Sequence, residues 1–152
     1  MADLPQEIRG VMIPVTGGRM LLPNANVAEV ITYVRPEPIA DAPDWLLGTL
    51  NWRGWHLPLF SFSMLTGQAR EEKYINARVA VLKALGGRPK LPFLALLVQG
   101  FPRLTTITPD LLVSADDGMG EVVGVRASVL VRDDHAVIPD LAAIESLVSE
   151  AL

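Results

Sequence analysis

Two histidines, two closely spaced serines, a glycine-rich loop and three pairs of adjacent carboxylates are the residues whose chemistry first invites a catalytic or ligand-binding reading. His56 lies in the apolar run Trp55 to Phe60 and His135 follows a turn, so the H-x-x-x-H spacing of a helical metal site is absent. Ser61 and Ser63 lack the strained G-x-S-x-G elbow that would expose a nucleophile, and no base is evident beside them. The stretch Gly86-Gly87-Arg88-Pro89-Lys90 superficially resembles a phosphate loop. It is out of register with G-x-x-x-x-G-K-[ST], and Pro89 removes a backbone N–H that a phosphate cradle needs, so it reads as a strand-connecting turn. Glu71-Glu72, Asp116-Asp117 and Asp133-Asp134 sit among turn-forming residues and read as solvated turns rather than acid–base pairs. With no cysteine, thiolate metal sites, disulfides and thiol nucleophiles are excluded. The expectation is a protein that is not an enzyme and carries no cofactor and no metal.

One constellation stands apart. In Gly48-Thr49-Leu50-Asn51-Trp52-Arg53-Gly54-Trp55-His56-Leu57-Pro58-Leu59, a single arginine occupies a tight turn between two tryptophans. The plain reading is a hairpin with its tryptophans in the core and its arginine in solvent. The functional reading is a presented guanidinium on an aromatic platform, a composition enriched at protein–protein hot spots. Arginine's rigid fork of donors is not reproduced by lysine.

The elements that must position this turn are mostly strands. Gly10 to Val15 and Arg19 to Pro23 flank Thr16-Gly17-Gly18, a hairpin signal, and Asn26 to Val34 is β-branched and aromatic until Arg35-Pro36-Glu37-Pro38 ends it. Leu50 to Trp52 and Trp55 to Phe60 form the arginine hairpin. Ala77 to Leu85 and Leu91 to Gln99 are further apolar runs, and Glu121 to Val131 alternates, with Val123, Val125, Ala127, Val129 and Val131 on one side. Three helical pieces are expected: one turn from Asp41-Ala42-Pro43-Asp44 through Trp45-Leu46-Leu47 to Gly48, another from Ser61 to Leu65 before Gly67, and a C-terminal helix 140–152. The last carries Leu141, Ile144, Leu147 and Val148 on one stripe. The charge-rich Arg70-Glu71-Glu72-Lys73 reads as a linker between two β lobes.

The 152 residues are 50% hydrophobic and 20% charged, which suits one ordered domain and excludes a disordered tail. A net charge of −4 with no basic stripe argues against nucleic acid and anionic membrane surfaces as partners. The acidic N-terminus does not read as a signal peptide. The longest apolar runs fall short of the roughly 18 to 20 residues of a membrane helix, so a soluble cytoplasmic protein without direct membrane insertion is expected.

Leu22-Pro23, the strand Val27-Ala28-Glu29-Val30-Ile31, then Pro43, then Gly48-Thr49-Leu50-Asn51-Trp52-Arg53-Gly54 and Leu57-Pro58-Leu59 together resemble the CheW family, as do the weaker strands Leu94 to Val98 and Val122 to Val125. The resemblance runs from about Gly10 to Leu147. It implies one CheW-like domain over 1–152: two small SH3-like five-stranded β-barrel lobes, roughly 10–67 and 77–139 with swapped terminal elements, sharing a hydrophobic interior. It also implies a non-catalytic adaptor between the chemoreceptor cytoplasmic tip and the regulatory domain of a CheA-type histidine kinase. By position it places Val27 and Glu29 on the kinase side and Gly48, Asn51, Arg53 and Gly54 in the receptor-coupling turn. Where family members commonly carry aspartates, this chain has Ser61 and Gln99. With its added tryptophans it is similar to divergent members from chemosensory pilus systems, of the ChpC type, so the output is flagellar chemotaxis or type IV pilus twitching. The alternative reading is a β-barrel that binds a small hydrophobic ligand in its interior.

Overall fold

The computed structural model describes residues 8–71, 74–107, 112–114, 122–131 and 134–152. It is mainly β. The strands are β1 (Ile8–Val15), β2 (Gly18–Pro23), β3 (Val27–Thr32), β4 (Leu46–Trp52), β5 (Trp55–Phe60), β6 (Arg78–Lys83), β7 (Phe93–Val98), β8 (Arg103–Ile107), β9 (Leu112–Ser114), β10 (Val125–Val131) and β11 (Asp134–Pro139). Two helices, α1 (Phe62–Leu65) and α2 (Leu141–Ala151), and a 3-10 turn at Asn24–Asn26 complete the described elements. A six-stranded sheet has the order β8-β1-β2-β11-β10-β9 and a five-stranded sheet the order β3-β6-β7-β5-β4.

Sheet membership divides the chain at other points than 10–67 and 77–139. The first two strands belong with β8 to β11, while β3 to β7 form the other sheet by themselves. The chain therefore crosses between lobes at Asn24–Asn26 and again between β7 and β8. The charge-rich stretch around Arg70 and Glu71 runs from α1 to β6, the fourth strand of the five-stranded sheet in chain order.

Each sheet folds over its own core, and a third core lies between them. Leu50, Leu57, Leu59, Val79, Val81 and Leu97 pack within the five-stranded lobe. Met12, Leu21, Ile107, Val129, Val131 and Ala136 pack within the six-stranded one. Val11, Ile13, Met20 and Leu22 meet Phe60, Leu82, Leu94 and Leu96 in between, joined by Leu141, Ile144 and Val148 of α2. Alternate residues of β1, β2, β6 and β7 thus face different cores, which is why these strands read as continuous apolar runs.

Ser61 caps α1 by accepting from the backbone N–H of Met64, and Asp140 caps α2 by accepting from that of Ala143. Both helices lie where the sequence places them. Trp45-Leu46-Leu47 does not form the third. Leu46, Gly48 and Leu50 are buried with half-buried residues between them, the period of a strand, and β4 pairs with β5 along its length. A glycine in the alternating position hid that period, and three apolar residues are too few to sustain a helical nucleus. In the β10 region the strand starts at Val125. Val123 lies in the preceding turn, 66% exposed, and residue 121 is outside the described residues.

Gly48 holds this arrangement together. Its φ is +148° and its backbone passes under Glu37, whose N–H and C=O both pair with Thr49 at 2.8 Å. A Cβ at this point would stand 2.3 Å from the Glu37 carbonyl oxygen. Gly48→Ala is therefore expected to destabilise the fold by at least about 2 kcal/mol, because the neighbour is backbone and cannot swing away. Chemical denaturation of the variant, with the midpoint shifted down, checks this.

Candidate partner-binding site

The hairpin of β4 and β5 has Leu50 opposite Leu57, Asn51 opposite His56 and Trp52 opposite Trp55, leaving Arg53-Gly54 as a two-residue turn. Arg53 has φ +47° and Gly54 φ +82°. Positive φ at both central positions is the demand of a type I′ turn, whose twist matches that of the flanking strands. Glycine meets this demand freely; arginine meets it at a small steric cost.

The cost is offset by what the arginine touches. β3 and β4 are the two outer strands of their sheet, and Glu29 of β3 reaches the end of β4. One oxygen, Glu29 Oε1, accepts from Trp52 Nε1 at 3.1 Å and from Arg53 Nη2 at 2.9 Å. The Arg53 guanidinium lies 5.0 Å from the Trp52 ring centroid, and Trp52 meets Phe93 edge-on at 4.9 Å. Trp55 flanks the same Phe93 at 6.4 Å and is 41% exposed. The result is a fixed cation on an aromatic base, with the Arg53 side chain 70% exposed.

The sequence reading assigns Glu29 and Arg53 to different docking surfaces; the structure brings them into one ion pair. Val27 is half-buried and packs against the core between the sheets. Gly48 is buried beneath Glu37, so its place in the motif is explained by backbone approach rather than by an exposed contact. Asn51 and Gly54 are exposed, with nothing near a Cβ at Gly54. Trp45 and Trp52 are half-buried and Trp55 is at the surface.

Two acidic residues carry more than the sequence suggests. Glu71 does not sit in a solvated turn: its carboxylate accepts from Thr16 Oγ1, Ser61 Oγ and Gln99 Nε2, while Ser63 Oγ donates to the Thr16 carbonyl. Ser61 and Gln99 thus converge on one carboxylate supplied from elsewhere. Glu145, read as part of an ordinary amphipathic helix, is fully buried. The loop Leu85–Arg88 is the expected turn, and its backbone amides hold the chain's own Glu145. The only available signal was an acid flanked by Ile144 and Val148 on the apolar stripe. Asp116, Asp117, Glu72 and Asp133 lie outside the described residues.

At the other end of the five-stranded sheet, Tyr33 and Tyr74 stand 5.1 Å apart. Desolvation pushes the Tyr33 hydroxyl above its ordinary range, against the opposing pull of Arg35. Desolvation also raises Tyr74, reinforced by Tyr33 and Glu71. Among the described residues no cluster of three or more His, Asp or Glu side chains is placed to hold a metal ion. No helix of the described residues is long and apolar enough to cross a membrane.

Residues 9–148 match the CheW-like domain family. No curated protein matches the chain. Its structure is similar to that of the scaffolding protein TtCheW from Thermoanaerobacter tengcongensis, with a TM-score of 0.73 at 18% identity, covering 92% of this chain and 87% of that one. At that identity the likeness establishes the fold.

Two outcomes follow from the geometry. Glu29→Ala should cost only about 0.3–1 kcal/mol in stability, since the ion pair is largely solvated, yet change the Trp52 environment. A denaturation midpoint paired with a tryptophan emission spectrum checks both. Tyr33 and Tyr74 are the only tyrosines. Both should ionise above the ordinary value of about 10 in the folded protein. The folded state then holds its phenolic protons more tightly than the unfolded state. This contribution is fully present below about pH 10 and is lost as pH rises through the folded values. Tyrosinate absorbance during an alkaline titration reads the pair directly, and ionisation at or below the ordinary value in the folded protein would contradict the assignment.

Proposed function

Because the chain belongs to the CheW-like domain family, we propose that it is a non-catalytic adaptor of bacterial chemosensory signalling. It joins the cytoplasmic tip of a chemoreceptor to the regulatory domain of a CheA-type histidine kinase, in a pathway driving flagellar chemotaxis or type IV pilus twitching. This places it in the cytoplasm. An adaptor makes no bond; it needs two surfaces held in a fixed relation. Two lobes sharing a core supply the rigidity, and exposed rims and turns supply the docks. Each contact can be weak while an array gains avidity from many.

The observation that supports this reading most directly is the Glu29–Trp52–Arg53 cluster. An arginine held at positive φ, paired with one carboxylate oxygen and stacked on indole, is pre-organised before any partner arrives, so little side-chain entropy remains to be lost on docking. In this reading Val27 and Glu29 lie toward the kinase, and Asn51, Arg53 and Gly54 present the turn to the receptor, with Gly48 setting its backbone.

Replacing Arg53 tests the proposal. Arg53→Gly relieves the positive-φ cost and removes the guanidinium, whereas Arg53→Ala keeps a Cβ at the same φ and removes the guanidinium alone. Both should weaken partner binding by about 1–3 kcal/mol with the fold intact. Calorimetric titration against the isolated kinase regulatory domain, and separately against a receptor tip, measures the effect. Affinities unchanged for both partners would remove Arg53 from the interface, and no binding to either would leave the fold with a different role.

A further inference from the structure

Glu145 is 1% exposed and sits in α2. Its carboxylate accepts from the backbone N–H of Leu85, at 3.0 and 2.9 Å to its two oxygens, and from that of Gly86 at 2.8 Å. Arg88 Nη1 stands 3.9 Å away, and Arg88 Nη2 donates to Ser146 Oγ at 3.3 Å. Leu85, Gly86 and Arg88 belong to the loop between β6 and β7, in the five-stranded lobe.

The helix itself grows out of the other lobe. It follows β11 directly, and at its start Asp140 donates its N–H to the Gly124 carbonyl at 2.8 Å and faces Arg126 at 3.9 Å. Between these ends Leu141, Ile144 and Val148 fill the core shared by both sheets. One end of α2 is thus continuous with the six-stranded lobe, and a buried carboxylate attaches it to the five-stranded lobe.

The two kinds of contact act differently. Apolar burial is non-directional and tolerates small shifts of one sheet over the other. A buried carboxylate is costly unless its lone pairs are met, and hydrogen bonds weaken steeply with misalignment. Glu145 is satisfied only where α2 holds one setting over the Leu85–Gly86 amides. From this we propose that Glu145 is a positioning residue that fixes the relative setting of the two lobes, with α2 as the strap between them. Its bearing on signalling rests on the adaptor reading, since an adaptor must hold its docks in fixed geometry. The setting itself can be tested without any partner.

Because the chain has no cysteine, spin labels can be placed at will. Exposed Thr32 on β3 and Thr106 on β8 report one lobe each through Thr32→Cys and Thr106→Cys. The distance distribution should be narrow in the otherwise unaltered protein and should widen or shift in Glu145→Gln. It should do so also in Gly86→Ala, whose added Cβ would stand 3.0 Å from Glu145 Oε1 and crowd that oxygen, the Arg88 side-chain end being free to swing aside. Amide exchange at Leu85 and Gly86 should rise about tenfold or more in both variants. Faster exchange with an unchanged distribution would confine Glu145 to its own loop and overturn the proposal. Should Glu145→Gln fail to fold, native-state exchange of the unaltered protein decides. The Leu85 and Gly86 amides must then open together with those of Ile144 and Val148, and opening with the loop alone overturns it.

Discussion

The strands along the interface between the sheets must satisfy two cores at once. Residues of β1, β2, β6 and β7 alternate between the interior of their own lobe and the core shared by both, so neither face of these strands is available to water or to a partner. Among the described residues the buried polar side chains are Ser61, Ser63 and Glu145, and none of them lies on these strands. Where a charge does enter the interior it must be met in full, as Glu145 is by two backbone amides and an arginine. The lobes are therefore not independent modules on a hinge. The hydrophobic term that stabilises either sheet also joins it to the other.

This constraint accounts for what was legible in the sequence. Runs such as Val79 to Leu82 and Leu94 to Val98 announce strands because both faces are apolar. The hairpin at Arg53-Gly54 is legible because glycine in a two-residue turn has a conformational cause. The strand character of Leu46 to Gly48 was hidden, since the residue that would have completed the alternation is a glycine needed for close approach to Glu37. Which strands change lobes was not legible in the local sequence, for another reason. Strand exchange between sheets depends on which distant segments pair, and the first two strands join β8 and β11 far along the chain without local signal.

The candidate site shows the same division. Arg53 and its tryptophans are conspicuous in the sequence, and the motif that contains them carries the family resemblance. That Glu29 would reach across to them is a tertiary fact, produced by the two outer strands of one sheet approaching at their ends. Carboxylates at loops are equally uninformative in sequence. Glu71 resembles a solvent-facing residue in a charged stretch, yet it collects donors from three separate segments, at Thr16, Ser61 and Gln99. A polar residue's worth is set by the donors that the fold brings to it.

The bridge between Glu37 and Thr49 has a bearing on how far this sheet can be extended. An outer strand with open N–H and C=O groups is a template on which another chain can continue the sheet, and close packing in an array would favour that error. On β4 the chain lays its own backbone across Thr49 and uses both groups there. Lengthening of the sheet past that point is blocked by the molecule itself. Any contact made at Thr49 from outside the molecule falls to side chains, because both backbone groups there are already paired.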